Sequence, residues 1–294
     1  VSLCSKHDDT AYSMNAIFGS DAFSPREIAE KVENIGVVKA RLPLVPMIML
    51  GILAGVFIGL GALYYVLIVS DPSLGFGISR LLGGLVFSLG LIMVVVAGAE
   101  LFTGNNLLMM AWADKKISFY EVLRNWVIVC IANFVGAAGL AVLVYLSRHH
   151  EMNGGLVGET YTRIATVKCN LSFQQAFFSG MLCNVLVCLA VWMSLAGRSV
   201  TDKVLVIIFP VSAFVAAGFE HSVANMYLIP MGLLMQLDIP VAAGAETISW
   251  IGFIKNLIPV ILGNLAGGSG FVALFYYFIY GHKRNVQRDL PGEE

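Results

Sequence analysis

Charge is what this chain has least of. Asp, Glu, Lys and Arg make up only 13% of 294 residues, against about 25% in a typical soluble protein. Hydrophobic residues make up 58%, and the mean hydropathy is +0.81. Too little polar surface is left for a nucleic-acid binder, a disordered chain or a cytosolic two-domain enzyme. Cysteine is scarce and odd in number, at five, and Cys130, Cys183 and Cys188 fall in apolar stretches. That excludes a disulfide framework and a zinc pattern and leaves them as packing residues. Histidine is scarcer still inside the apolar regions. Of five, only His221 is there, while His7, His149, His150 and His282 lie in polar connections or tails. A membrane haem held by two histidines therefore lacks its second ligand, and neither a metal nor a cofactor is expected. Residues 1–25 are polar, so no secretory signal is expected there.

What the chain has instead is long apolar runs. A bilayer-spanning helix needs about 20 mostly apolar residues. Residues 42–70, 125–147, 169–197 and 256–281 contain no Asp, Glu, Lys or Arg. Two further runs, 81–113 and 204–237, are interrupted by Glu100 and by Glu220-His221. Six spans are predicted, the second and fifth with polar groups at mid-membrane. Lys and Arg concentrate in cytoplasmic loops. With the N-terminus inside, Lys6, Arg26, Lys31, Lys39, Arg41, Lys115, Lys116, Arg198, Lys203, Lys283, Arg284 and Arg288 fall inside, against Arg80, Arg148, Arg163 and Lys168 outside. Arg124 and Lys255 stand at span starts and carry no vote. Both termini are expected in the cytoplasm: a segment 1–41 with an amphipathic or solvated helix over 25–41, a transmembrane domain 42–281 and a tail 282–294.

The interrupted spans resemble each other. Gly98-Ala99-Glu100-Leu101-Phe102-Thr103-Gly104-Asn105 aligns with Gly218-Phe219-Glu220-His221-Ser222-Val223-Ala224-Asn225, sharing Gly, Glu and Asn in register. Arg124-Asn125 with Asn133 and Gly136 aligns with Lys255-Asn256 with Asn264 and Gly267 at identical spacing. A unit of three spans is odd, so its second copy enters the membrane from the opposite side. Inverted repeats of this kind build pathways at their shared interface from discontinuous helices. The Gly-x-Glu segments read as those breaks, with Pro210 and Pro230 flanking the second, because a carboxylate and an asparagine can satisfy amides freed by unwinding. Glu100, Glu220, Asn105 and Asn225 are then scaffold of the breaks; the alternative is that both carboxylates line a cation pathway. Gly51, Gly55 and Gly59 recur every four residues, the spacing for close helix packing. Lys168 and Arg163 either snorkel at the interface or form a positive vestibule. His221, an ionisable group inside the membrane, is a functional candidate by its cost alone.

On these residues the chain resembles the formate/nitrite transporter family over about 25–280. The resemblance also rests on Asn184-Val185-Leu186-Val187-Cys188-Leu189-Ala190-Val191-Trp192-Met193, Asn256-Leu257-Ile258-Pro259 and Gly263-Asn264. Gly197-Arg198-Ser199 and Ile229-Pro230-Met231-Gly232 point to its formate-channel branch. The resemblance implies an all-α, aquaporin-like inverted repeat assembled as a homopentamer in a prokaryotic inner membrane, one pore per protomer, passing small monovalent anions. It places the pore histidine on His221, its threonine partner on Thr103, and a pore lysine and asparagine on Lys168 and Asn184. It puts the apolar constrictions at Phe87, Leu91, Leu101, Phe102 and Phe214. Formate or nitrite, with protons and surrounding lipid, are the implied partners. Hydrosulfide, acetate and lactate are alternative weak acids. A cation or neutral-solute channel and a quinone-binding redox subunit are the competing classes.

Overall fold

The computed structural model describes residues 22–238 and 248–281. The expected tail 282–294, the first 21 residues with His7, and His282 lie outside the described residues. Ten α-helices are described, and six membrane-length apolar segments are among them, as the sequence predicted. The protein is a multi-pass integral membrane protein. Helix α1 (Pro25–Ala40) precedes the first span, α2 (Leu44–Val69). The second span is α3 (Phe76–Met93), which ends in a π-helical turn at Gly98; after a break the chain resumes as the short α4 (Leu108–Ala113). The third span is α5 (Phe119–Leu146). The second half repeats the order: α6 (Leu156–Cys169), the fourth span α7 (Phe173–Ser194), the broken fifth span α8 (Val200–Ala217) with α9 (Ser222–Met235), and the sixth span α10 (Trp250–Leu265). Wide π-type turns continue α10 from Ala266 to Leu274.

Serine starts half of these helices. Ser24, Ser118, Ser172 and Ser199 each close a capping box with Glu27, Glu121, Gln175 and Asp202. Each satisfies two otherwise orphaned amide groups. The cap at Ser118 also explains why the third span begins before the predicted 125: Glu121 serves the cap, and Arg124 turns to the carbonyls of Ala40 and Leu42. The fourth span begins later than the predicted 169, because residues up to Cys169 belong to α6.

That helix extends the repeat. The buried face of α1 packs on α4: a Cβ on Gly36 would lie 3.0 Å from the Cβ of Ala111. Likewise α6 packs on α9, where a Cβ on Gly232 would lie 2.2 Å from that of Ala165. The unit is therefore a short helix followed by three spans, and α1 is a docked element of the fold rather than a solvated tail. Within each unit the outer spans meet through glycine. A Cβ on Gly55 or Gly136 would stand 2.1 Å or 2.0 Å from the carbonyl oxygens of Asn133 and Ile52, joining α2 to α5. A Cβ on Gly263 or Gly267 would stand 2.1 Å from those of Phe177 and Met181, joining α10 to α7. The two broken spans meet where Gly84 of α3 lies on the Ser212 carbonyl of α8. Val127, Ile131, Leu143 and Leu146 of α5 remain exposed.

These contacts leave no room for a methyl group, and overpacking costs about 1–3 kcal/mol. Gly136→Ala is expected to lower the thermal midpoint of the detergent-solubilised protein by several degrees. Gly139→Ala on the same helix, with nothing within 4 Å of the new methyl, is expected to leave it nearly unchanged. Equal midpoints for the two variants would contradict the packing.

Candidate transport pathway

Both breaks begin on a glycine in the left-handed region. Gly98 has φ +83° and Gly218 has φ +77°, conformations that cost a side chain little only when there is none. Beyond each glycine the backbone stops making helical bonds at a depth where water cannot replace them. Asparagine supplies the replacements. Asn133 Oδ1 accepts from the Phe102 amide at 2.9 Å, and its Nδ2 donates to the carbonyls of Gly51 at 2.7 Å and Glu100 at 2.9 Å. Asn264 does the same in the second half: its Oδ1 accepts from the Ser222 amide at 3.0 Å, and Nδ2 donates to Gly180 at 2.7 Å and Glu220 at 3.1 Å. Sequence comparison of the halves isolated these two asparagines without revealing what they do.

A second network holds the carboxylates. Lys39 Nζ donates to Glu100 Oε1 at 2.8 Å, Asn105 Nδ2 to Glu100 Oε2 at 2.7 Å and to Asn125 Oδ1 at 2.9 Å, and Asn125 Nδ2 to the Lys39 carbonyl at 3.2 Å. Its counterpart runs from Lys168 Nζ to Glu220 Oε1 at 2.7 Å, from Asn225 Nδ2 to Glu220 Oε2 at 2.6 Å and to Asn256 Oδ1 at 2.7 Å, and from Asn256 Nδ2 to the Lys168 carbonyl at 2.9 Å. Lys39 was missed as a site residue because it was counted among cytoplasmic charges. Its spacing held the signal: Lys39 stands twelve residues before Gly51, as Lys168 stands twelve before Gly180. Lys168, for which the sequence left open a snorkelling or a vestibule position, lines the cavity on the α6 side with its ammonium paired to Glu220.

Two cavities approach the breaks from opposite sides. One, about 360 Å³, reaches Leu91, Leu101, Glu100 and Lys39 from the α1 side. The other, about 470 Å³, reaches Phe87, Phe214, His221, Lys168 and Glu220 from the α6 side. No residue lines both. Phe102 and Thr103 line neither and are buried, as are Phe87, Leu91, Leu101 and Phe214. Phe87 meets Phe214 edge to face at 5.8 Å, and Phe214 stacks on the His221 ring at 5.9 Å.

His221 is 3% exposed and joins the halves: its Nε2 lies 3.0 Å from Thr103 Oγ1. Its Nδ1 accepts from the Ala224 amide at 3.1 Å, so the imidazole is the N-cap of α9. An acceptor Nδ1 assigns the proton of the neutral ring to Nε2, directed at Thr103. Asn184 lines neither cavity. Its Nδ2 donates to the Thr103 carbonyl at 3.3 Å and the Asn264 carbonyl at 2.7 Å, and its buried Oδ1 has no protein partner.

A family model described as formate/nitrite transporter matches residues 26–278. The formate channel FocA of Haemophilus influenzae is 37% identical over 278 residues, covering 91% of this chain and 98% of that protein. A solved pentameric formate channel with formate bound is 41% identical, with a TM-score of 0.76, and covers 81% of this chain and 97% of that one. An aquaglyceroporin from Plasmodium falciparum, 13% identical with a TM-score of 0.50 over 80% of this chain and 100% of that one, shares the fold alone.

The Lys168–Glu220 pair is nearly closed to solvent, with side chains 13% and 6% exposed. Removing one member of a buried pair strands the other, at about 3–5 kcal/mol. Lys168→Met is expected to destabilise the protein strongly and Lys168→Met with Glu220→Gln to recover much of the loss, as read from thermal unfolding in detergent. Additive losses would show that the two side chains act independently.

Proposed function

Because this chain belongs to the formate/nitrite transporter family, we propose that it is a membrane channel for formate or nitrite that passes the anion as its neutral acid through a barrier beside His221. The observation that carries this reading is the pair of cavities ending on apolar side chains, with the His221–Thr103 hydrogen bond joining the two breaks between them. A bare charge crossing such a barrier is penalised by desolvation, about 2.5–3.5 kcal/mol on insertion scales. A neutral acid is penalised far less. With a carboxyl pKa of about 4, only about one formate in a thousand is neutral at pH 7. Transfer into a low dielectric raises the anion's proton affinity, which favours protonation where the cavity narrows. His221 presents Nε2–H there, held in that tautomer by the Ala224 amide, and exchanges its partner Thr103 for the incoming oxygen. A second proton on Nδ1 would sacrifice the N-cap of α9. That supports a role for His221 in orienting the anion through Nε2–H where a proton from solvent neutralises it, rather than in storing a charge, since giving up the Nε2 proton itself would leave an imidazolate. Phe87, Leu91, Leu101, Phe102 and Phe214 exclude water around it.

The carboxylates favour this reading over a cation channel. Glu100 and Glu220 reach the cavities, but each is neutralised by a lysine and tied to an asparagine. Asn184 supports the break through the Thr103 carbonyl. No covalent chemistry is required, and the relatives are channels, not enzymes. From the distribution of Lys and Arg, α1 and both termini face the cytoplasm, with the 360 Å³ cavity inside and the 470 Å³ cavity outside. Residues 1–41 and 282–294 are then cytoplasmic and 42–281 carry the pathway. The solved relative's pentamer supports the same assembly, with exposed α5 residues covered by neighbours or lipid.

Proteoliposomes exposed to formate, nitrite, hydrosulfide, acetate and lactate are expected to take up formate and nitrite fastest, with uptake rising as external pH falls. His221→Ala is expected to lose that pH dependence and at least tenfold in rate. Unchanged pH-dependent uptake by the correctly assembled variant removes His221 from the mechanism.

A further inference from the structure

Among the described residues, the cavity on the α6 side holds a half-buried guanidinium that no carboxylate pairs with. Its charged lining residues are Asp71, Arg80, Arg163, Lys168 and Glu220. Lys168 and Glu220 neutralise each other, and the Asp71 carboxylate accepts from the Ser73 amide at the outer rim. Arg163 stands on the exposed side of α6. Arg80, in the first turns of α3, is half-buried. Its Nη1 donates to the neutral Tyr65 hydroxyl at 3.3 Å, and its guanidinium sits 5.6 Å from the Phe76 ring centroid. A guanidinium carries five donors, so most of this one is uncommitted.

Its position is specific. Arg80 Nη2 lies 3.5 Å from the point where a Cβ on Gly218 would stand. Gly218 is the left-handed residue that opens the second break, three positions before His221. The repeat-related Gly98 has nothing within 4 Å of the same point. Among the described residues, the charged lining of the opposite cavity is Lys39 and Glu100, bound to each other. Among the described residues, a half-buried guanidinium without a carboxylate partner thus stands in the cavity on the α6 side and none in the cavity on the α1 side.

We infer that Arg80 is an anion-docking residue on the α6 side, selecting planar monovalent anions that present two oxygens, and passing them along Gly218 toward His221. The planar fork of a guanidinium matches two oxygens on one centre by paired N–H···O bonds, whereas a lysine ammonium offers a point charge. Formate and nitrite have that geometry; hydrosulfide does not. Lys168 does not take this part, because Glu220 occupies its ammonium. The inference rests on the proposed anion function and deepens it.

The test compares concentration-dependent uptake of formate, nitrite and hydrosulfide in proteoliposomes containing the parent, Arg80→Gln or Arg80→Lys. Thermal midpoint and oligomer size serve as checks of assembly. Arg80→Gln is expected to raise the KM for formate and nitrite about tenfold, the loss of a charge-assisted contact, with the maximal rate nearly unchanged. Arg80→Lys is expected to keep parental hydrosulfide uptake but leave the formate and nitrite KM several-fold high. A formate KM within twofold of the parent in Arg80→Gln overturns the docking role, and one equal to the parent in Arg80→Lys overturns the fork geometry. If Arg80→Gln fails to assemble, Arg80→Lys carries the comparison alone. Parent liposomes that pass neither formate nor nitrite refute the anion function and this inference together, whereas parental uptake with an unaltered variant refutes the inference alone.

Discussion

Two stretches of backbone leave the helical ladder in the middle of an apolar bundle, and the rest of the molecule is arranged so that their amide groups are not left bare. An unsatisfied peptide group in hydrocarbon costs several kcal/mol, so each break needs donors and acceptors delivered from neighbouring helices. Asn133 and Asn264 deliver them from the third and sixth spans, each tying a broken segment to the adjoining span through Gly51 or Gly180. That reach is short. It is possible only because glycines let α2 lie on α5 and α7 on α10 with backbones nearly touching. Helix packing and break chemistry are thus one requirement.

The same constraint explains why this charge-poor chain keeps ionisable groups at such depth. Glu100 and Glu220 each take a lysine on one oxygen and an asparagine on the other. Buried ion pairs contribute little net stability, but they fix geometry when every partner is present. Here the lysines come from α1 and α6, so these short helices are locked to the breaks by charge as well as by packing on α4 and α9.

Symmetry ends where function is expected. Position 221 is His in one half and the equivalent Leu101 in the other; Thr103 faces Val223 in the alignment. The hydrogen bond between His221 and Thr103 therefore joins unlike members of like segments. A repeated frame can hold two breaks in place while a few unmatched side chains at their meeting point set what crosses. Arg80 beside Gly218, with no counterpart at Gly98 among the described residues, extends that asymmetry to the mouth.

Composition and periodicity were sufficient for six spans, the inverted repeat and the two breaks, because each depends on local apolar length and on residues recurring in register. The Glu–Asn contacts within each break were legible too, being five residues apart. Lys39 and the asparagine bridges were not. They act across 31 to 84 residues of chain, and spacing along the chain carries no direction in space. The four-element unit was hidden for a related reason: α6 is too polar to be counted as a span and too short to stand out, and only its packing on α9 marks it as the partner of α1. The sequence by itself determined that this chain crosses a membrane, with a break in each half. Only the tertiary structure decided that each buried carboxylate has its own lysine, that the His221 ring caps α9 and reaches Thr103, and that two cavities stop at opposite sides of that contact. Those outcomes depend on which distant side chains meet, and close packing settles that.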